Sequence, residues 1–74
     1  MSAPGEDDPL ESALRGLVHD VHTPLAIITG FAELLERRGG EMPPEQQQEF
    51  AGRILAAARE LGRLLDAAGR PPTA

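Results

Sequence analysis

The chain has 74 residues, enough for one small domain and too few for two. A lone domain of that size buries only about 60% of the surface its unfolded chain exposes, so it needs a disulfide, a metal or a partner subunit. With no cysteine, disulfides and thiolate metal sites are excluded and oligomerisation is the remedy left. Twelve acidic residues against seven basic ones give a net charge of −5, which argues against coating a phosphate backbone, so no nucleic-acid partner is expected. All the basic residues are arginine, and without lysine neither Schiff-base nor P-loop chemistry is available.

In chain order, residues 1–7 are acidic, contain no apolar run and are expected to be a disordered tail with no signal-peptide character. The first helix signal is Asp8-Pro9-Leu10-Glu11: Asp8 as N-cap, Pro9 as first helical residue, Glu11 closing a capping box. Apolar positions then fall at Leu10, Leu14, Leu17, Val21, Leu25, Ile28, Phe31 or Ala32, and Leu35, steps of three and four that define an amphipathic helix. Val18, Ile27 and Leu34 widen the stripe beyond a two-stranded seam, as a bundle helix requires. Arg37 and Arg38 suit the negative end of the helix dipole, and Gly39-Gly40 are expected to give a left-handed C-cap.

Pro43-Pro44-Glu45 begins a second helix whose stripe runs Gln47, Phe50, Ile54, Ala57, Leu61, Leu64 and Ala68, until Gly69 and Pro71-Pro72 end it. The sequence thus predicts an all-α fold: helices over about 9–38 and 44–68 in one domain of residues 8–68, with residues 69–74 a disordered C-terminal tail. A short loop between long helices makes an antiparallel hairpin, and one hairpin cannot cover two wide apolar stripes. Two copies can, so a homodimeric four-helix bundle is expected; the competing possibility is a monomer whose greasy face docks on another protein. The longest apolar-rich stretch, residues 24–35, is interrupted by Thr29, Gly30 and Glu33, so no membrane contact is expected within the chain and a cytoplasmic location fits.

The chemistry concentrates in residues 18–25. With Leu17 and Val21 in the core, His19 falls on the face pointing away from it and should be exposed. A neutral imidazole is a competent nucleophile, and Asp20 beside it is placed either to accept from the second ring nitrogen or to act as a general base. Thr23 lies one turn further along, where its hydroxyl can orient a water for attack on a phosphorylated imidazole. Pro24 removes the N–H that would bond the Asp20 carbonyl and should loosen or kink the helix there, at a cost of about 3 kcal/mol that plain scaffolding would avoid. Singly, each of these residues also has a plain explanation as solvated surface or a kink, and His19 with His22 is an i, i+3 pair without a converging third metal ligand, so no metal is expected.

The run His19-Asp20-Val21-His22-Thr23-Pro24-Leu25 resembles the H-box of the sensor histidine kinase dimerisation and phosphoacceptor (HisKA) family, approximately His-Glu/Asp-Leu-Arg-Thr-Pro-Leu. The continuation from Ile27 to Leu35 follows the family habit of apolar pair, Gly, aromatic, then Glu-Leu-Leu, and the second helix resembles the family's partner helix through Phe50, Ile54, Leu61, Leu64 and Leu65. The resemblance implies phosphorylation of a ring nitrogen of His19, assistance by Asp20, and a role for Thr23 in dephosphorylating a partner receiver. It implies as partners a second copy, a response-regulator receiver domain and an ATP-binding kinase domain in cis or trans. His22 departs from the usual Arg or Lys, which weakens any phosphate-steering charge at that position.

No nucleotide-binding box follows Leu65, so the chain should carry no cofactor, with ATP and Mg confined to a separate kinase domain and no autonomous kinase activity expected. It reads either as a kinase fragment or as a stand-alone phosphotransfer protein in a phosphorelay. The alternative function is a structural dimerisation hairpin that keeps the H-box without its chemistry.

Overall fold

The computed structural model describes residues 8–70. Helix α1 spans Pro9–Arg38, a 3-10 turn spans Gly39–Glu41, and helix α2 spans Pro44–Gly69. The two helices pack against each other as a hairpin. The disorder expected for residues 1–7 and 71–74, and the proline stop at Pro71-Pro72, lie outside the described residues. Gly69, expected in the C-terminal tail, is the last residue of α2, and Arg70 caps it with its N–H donating to the Ala67 carbonyl at 3.4 Å.

Asp8 caps α1 as its position predicts: the Leu10 N–H donates to Asp8 Oδ1 at 3.2 Å and the Ser12 N–H to the Asp8 carbonyl at 3.0 Å. The reciprocal half of the capping box does not form, since the Glu11 side chain makes no hydrogen bond among the described residues. The left-handed glycine cap is also absent. Gly39 sits at φ −54°, ψ −37°, and no described residue has positive φ. Another group satisfies the carbonyls at this corner. Gln47 Nε2 donates to the carbonyls of Gly39 and Met42, the latter at 3.1 Å, while the Met42 N–H donates to Gly39 O at 3.2 Å. Gln47, expected in the apolar stripe, is therefore an exposed clamp on the connection, while α1 ends by running on into the 3-10 turn, with the Gly39 N–H donating to the Leu35 carbonyl.

The seam follows a strict heptad. On α1, Leu17, Val21, Ile28, Phe31 and Leu35 are half-buried and Pro24 is buried; on α2, Phe50, Ile54, Leu61 and Leu64 are half-buried and Ala57 is buried. The rings of Phe31 and Phe50 meet edge to face with centroids 4.8 Å apart. Two turns up each helix from that pair, Pro24 comes opposite Ala57, which is 7% exposed. Here the sequence reading needs correction: Leu25, assigned to the stripe, is 48% exposed, and Pro24 takes the seam position in its stead. A proline ring is apolar, and where it falls in heptad register it packs like any other apolar side chain. α1 runs unbroken through it.

The hairpin is too thin to hold a core of its own. Its radius of gyration is 17.6 Å, against about 11 Å for a compact domain of this length. The helical step of about 100° per residue sorts the apolar side chains left outside the seam. Leu14, Val18 and Leu25 of α1 fall on one flank with Leu65 of α2, and Leu55 stands further round toward the outer face, all exposed. The opposite flank carries Ile27 and Leu34 together with the ion pairs Glu49–Arg53 and Glu60–Arg63, at 3.5 Å and 2.8 Å. Arg53 also lies over the Phe31 ring, 5.8 Å from its centroid. The residues that widen the stripe thus divide: Val18 belongs to the charge-poor flank, Ile27 and Leu34 to the mixed one. No helix among the described residues is long and apolar enough to cross a membrane.

Gly52 interrupts α2 without a packing reason, because a Cβ there would meet nothing within 4 Å. Gly52→Ala is expected to stabilise the fold by about 0.5–1 kcal/mol through helix propensity. Thermal denaturation followed by circular dichroism at fixed protein concentration checks this.

Candidate functional site

His19 stands five residues before Pro24 on α1, which turns it about 140° away from the seam. Its side chain is 86% exposed, as the heptad register predicts. Its Nδ1 lies 3.6 Å from Asp20 Oδ1, the Asp20 side chain being 60% exposed. That separation is just beyond hydrogen-bond range, and with both side chains exposed the pair adds little to stability in water. Nδ1 is the ring nitrogen on the Asp20 side, and Nε2 is the one turned away from the carboxylate.

Thr23 is exposed one turn beyond His19, and His22 is exposed on the other side of the same outer face. Pro24 anchors this turn from below, its ring buried at the seam while its missing N–H leaves the Asp20 carbonyl without an intrahelical donor. The four residues singled out from the sequence are therefore brought together: three reach solvent and the fourth holds the backbone beneath them. No group of three or more His, Cys, Asp or Glu side chains among the described residues could hold a metal ion.

Two surface features were not anticipated. A shallow groove of about 270 Å³ is lined by Ala26, Ile27, Gly30, Phe31 and Leu34, and begins about 10 Å along α1 from His19. A second, of about 290 Å³, lies at the connection, between Leu34, Arg38, Glu41, Met42, Gln46 and Phe50. The small residues Ala26 and Gly30, spaced one turn apart beside Ile27 and Leu34, were the available signal for the first groove.

A solvent-exposed histidine with a neighbouring carboxylate, carried on a helical hairpin that leaves an apolar flank uncovered, is an arrangement that suits a phosphoacceptor type of module. The comparison of families agrees: the model of the His Kinase A (phospho-acceptor) domain matches residues 10–68, and the chain belongs to that family. It is accordingly a phospho-acceptor and dimerisation domain of the kind found in two-component histidine kinases. Neither the comparison with curated proteins nor that with solved structures gave a match.

Proposed function

We propose that two copies of this chain form a four-helix bundle, that His19 takes a phosphoryl group from a separate ATP-binding kinase domain, and that the group passes on to an aspartate of a receiver domain. The observation that carries this is the placement of His19, presented to solvent with its Nδ1 edge toward Asp20, inside the segment that matches the family. In the forward step Nε2 attacks the γ-phosphorus and the bond to the β-phosphate oxygen breaks. Asp20 favours the positive charge that develops on the ring and takes up its proton. The receiver then offers a carboxylate oxygen to the same phosphorus from the solvent side.

The charge-poor flank of Leu14, Val18, Leu25 and Leu65 suits a permanent self-interface, since it is apolar on both helices and free of the ion pairs. The mixed flank, with the Ala26–Leu34 groove next to Thr23, suits a transient receiver contact. Small residues in that groove admit a helix closely, and the polar surround keeps the free surface soluble.

Thr23 gives a discriminating test. Thr23→Ala is expected to leave the rate of His19 phosphorylation within about twofold while lowering dephosphorylation of the receiver about tenfold or more, because only the latter needs an oriented water. Asp20→Asn is expected to show the reverse split. Phosphoryl transfer and receiver dephosphorylation, timed separately on radiolabelled protein, decide between these outcomes. Equal loss of both activities in Thr23→Ala would place its hydroxyl in folding or in the forward step.

A further inference from the structure

Arg59 is the feature of α2 that neither the hairpin nor the site uses. Arg53 and Arg63 are paired with carboxylates of their own helix, whereas Arg59 makes no ion pair among the described residues. Standing two residues after the buried Ala57, it points about 200° round from it, directly away from α1.

In an up-down-up-down bundle every helix has antiparallel neighbours on two sides, so α1 packs on its own α2 and on the α2 of the second copy. The uncovered flank of Leu14, Val18 and Leu25 fixes the side on which that second α2 lies. In a square of four helices, the direction leading away from the intramolecular seam is shared by α1 and the partner's α2, so their outward side chains stand on one wall of the bundle. A two-fold along the bundle axis leaves heights unchanged, and the Pro24–Ala57 level therefore also holds between subunits. It sets His22 level with the partner's Arg59 and His19 level with the partner's Gly62. The same register sets Glu11 level with the partner's Arg70, and Arg15 level with the partner's Asp66, opposite charges in both cases.

We propose that the partner's Arg59 completes the phosphoacceptor site in trans, its guanidinium reaching the phosphoryl group on His19 across the subunit boundary. The reach is sufficient: neighbouring helix axes are about 8–10 Å apart, and the two residues differ in height by about 4.5 Å, both within the length of an extended arginine and a phosphorylated imidazole. The partner's Gly62, without a side chain at the level of His19, leaves that path open; a Cβ there meets nothing within 4 Å in the hairpin. A planar fork of N–H donors binds phosphoryl oxygens in pairs and neutralises charge as the donor approaches.

This inference rests on the dimer reading, and the test separates the two. Potassium phosphoramidate labels histidine without any kinase: the ring nitrogen bonds to phosphorus, the P–N bond of the donor breaks, ammonia leaves, and the ring gives up its N–H proton to solvent. Arg59→Ala is expected to slow labelling of His19 about fivefold, with Arg59→Lys intermediate. Mixing Arg59→Ala with His19→Gln, both in a His22→Gln background so that the second chain is inert alone, creates heterodimers in which the intact His19 faces an intact Arg59, and labelling should return toward the rate of the His22→Gln parent. Unchanged labelling in Arg59→Ala, or a slow rate that the His19→Gln partner fails to rescue while light scattering shows dimers, would overturn the trans assignment. Monomers in light scattering would instead remove the dimer reading, and this inference with it.

Discussion

His19→Gln is expected to abolish acid-labile, base-stable phosphorylation when the chain is given a cognate ATP-binding kinase domain and ATP, whereas His22→Gln is expected to be labelled like wild type. Both imidazoles reach solvent, so exposure does not choose between them. The neighbours do. His19 has the Asp20 carboxylate 3.6 Å from Nδ1 and Thr23 one turn ahead, while the hydroxyl nearest ahead of His22 on its own side, Thr29, lies about two turns away. Removing the nucleophile removes the reaction, so the expected loss is complete within detection and not a partial slowing. Labelling of His19→Gln at the wild-type level would move the acceptor elsewhere and remove the site as described.

Disrupting the charge-poor flank is expected to have the next largest effect. In Val18→Glu/Leu25→Glu, two carboxylates replace apolar side chains at the proposed self-interface. Burying them costs several kcal/mol, which raises the dimer dissociation constant by about a hundredfold or more. Among the described residues only Pro24 and Ala57 are buried in the isolated hairpin, so helicity should fall together with association. Leu34→Glu, on the opposite flank, should keep both dimer mass and helicity. Light scattering and circular dichroism at micromolar concentration distinguish the two variants. A helical monomer in wild type would show that the flank serves something other than a second copy.

The helix limits were legible because their signals are local. Asp8-Pro9 opens α1, Pro43-Pro44-Glu45 opens α2, and the step of three and four residues between them admits no strand. The exposure of His19 followed from the same register. What escaped was whatever depends on a partner distant in sequence. Gly39-Gly40 fits a left-handed cap by local rules, yet the chain runs on into a 3-10 turn whose Gly39 carbonyl is held by Gln47, eight residues further along. Pro24 was weighed only as a helix-breaker, which hid its apolar ring from the seam and gave Leu25 a burial it does not have. The division of the apolar side chains between two flanks also needs the position of α2. Until that helix is placed, Val18 and Ile27 look alike as outliers of one stripe.

The contact between Phe31 and Phe50 makes the molecule its own optical reporter. The chain contains no tryptophan or tyrosine, and these two phenylalanines are its entire aromatic content. They touch each other across the seam and nowhere else supplies a competing chromophore, so the fine structure of the near-ultraviolet dichroism arises from one ring pair held at one angle. Far-ultraviolet dichroism counts helical residues whether or not the helices are zipped together; the phenylalanine bands follow the zipping alone. Recorded side by side, the two signals distinguish a chain that has lost its hairpin from one that has lost its helices, with no label attached.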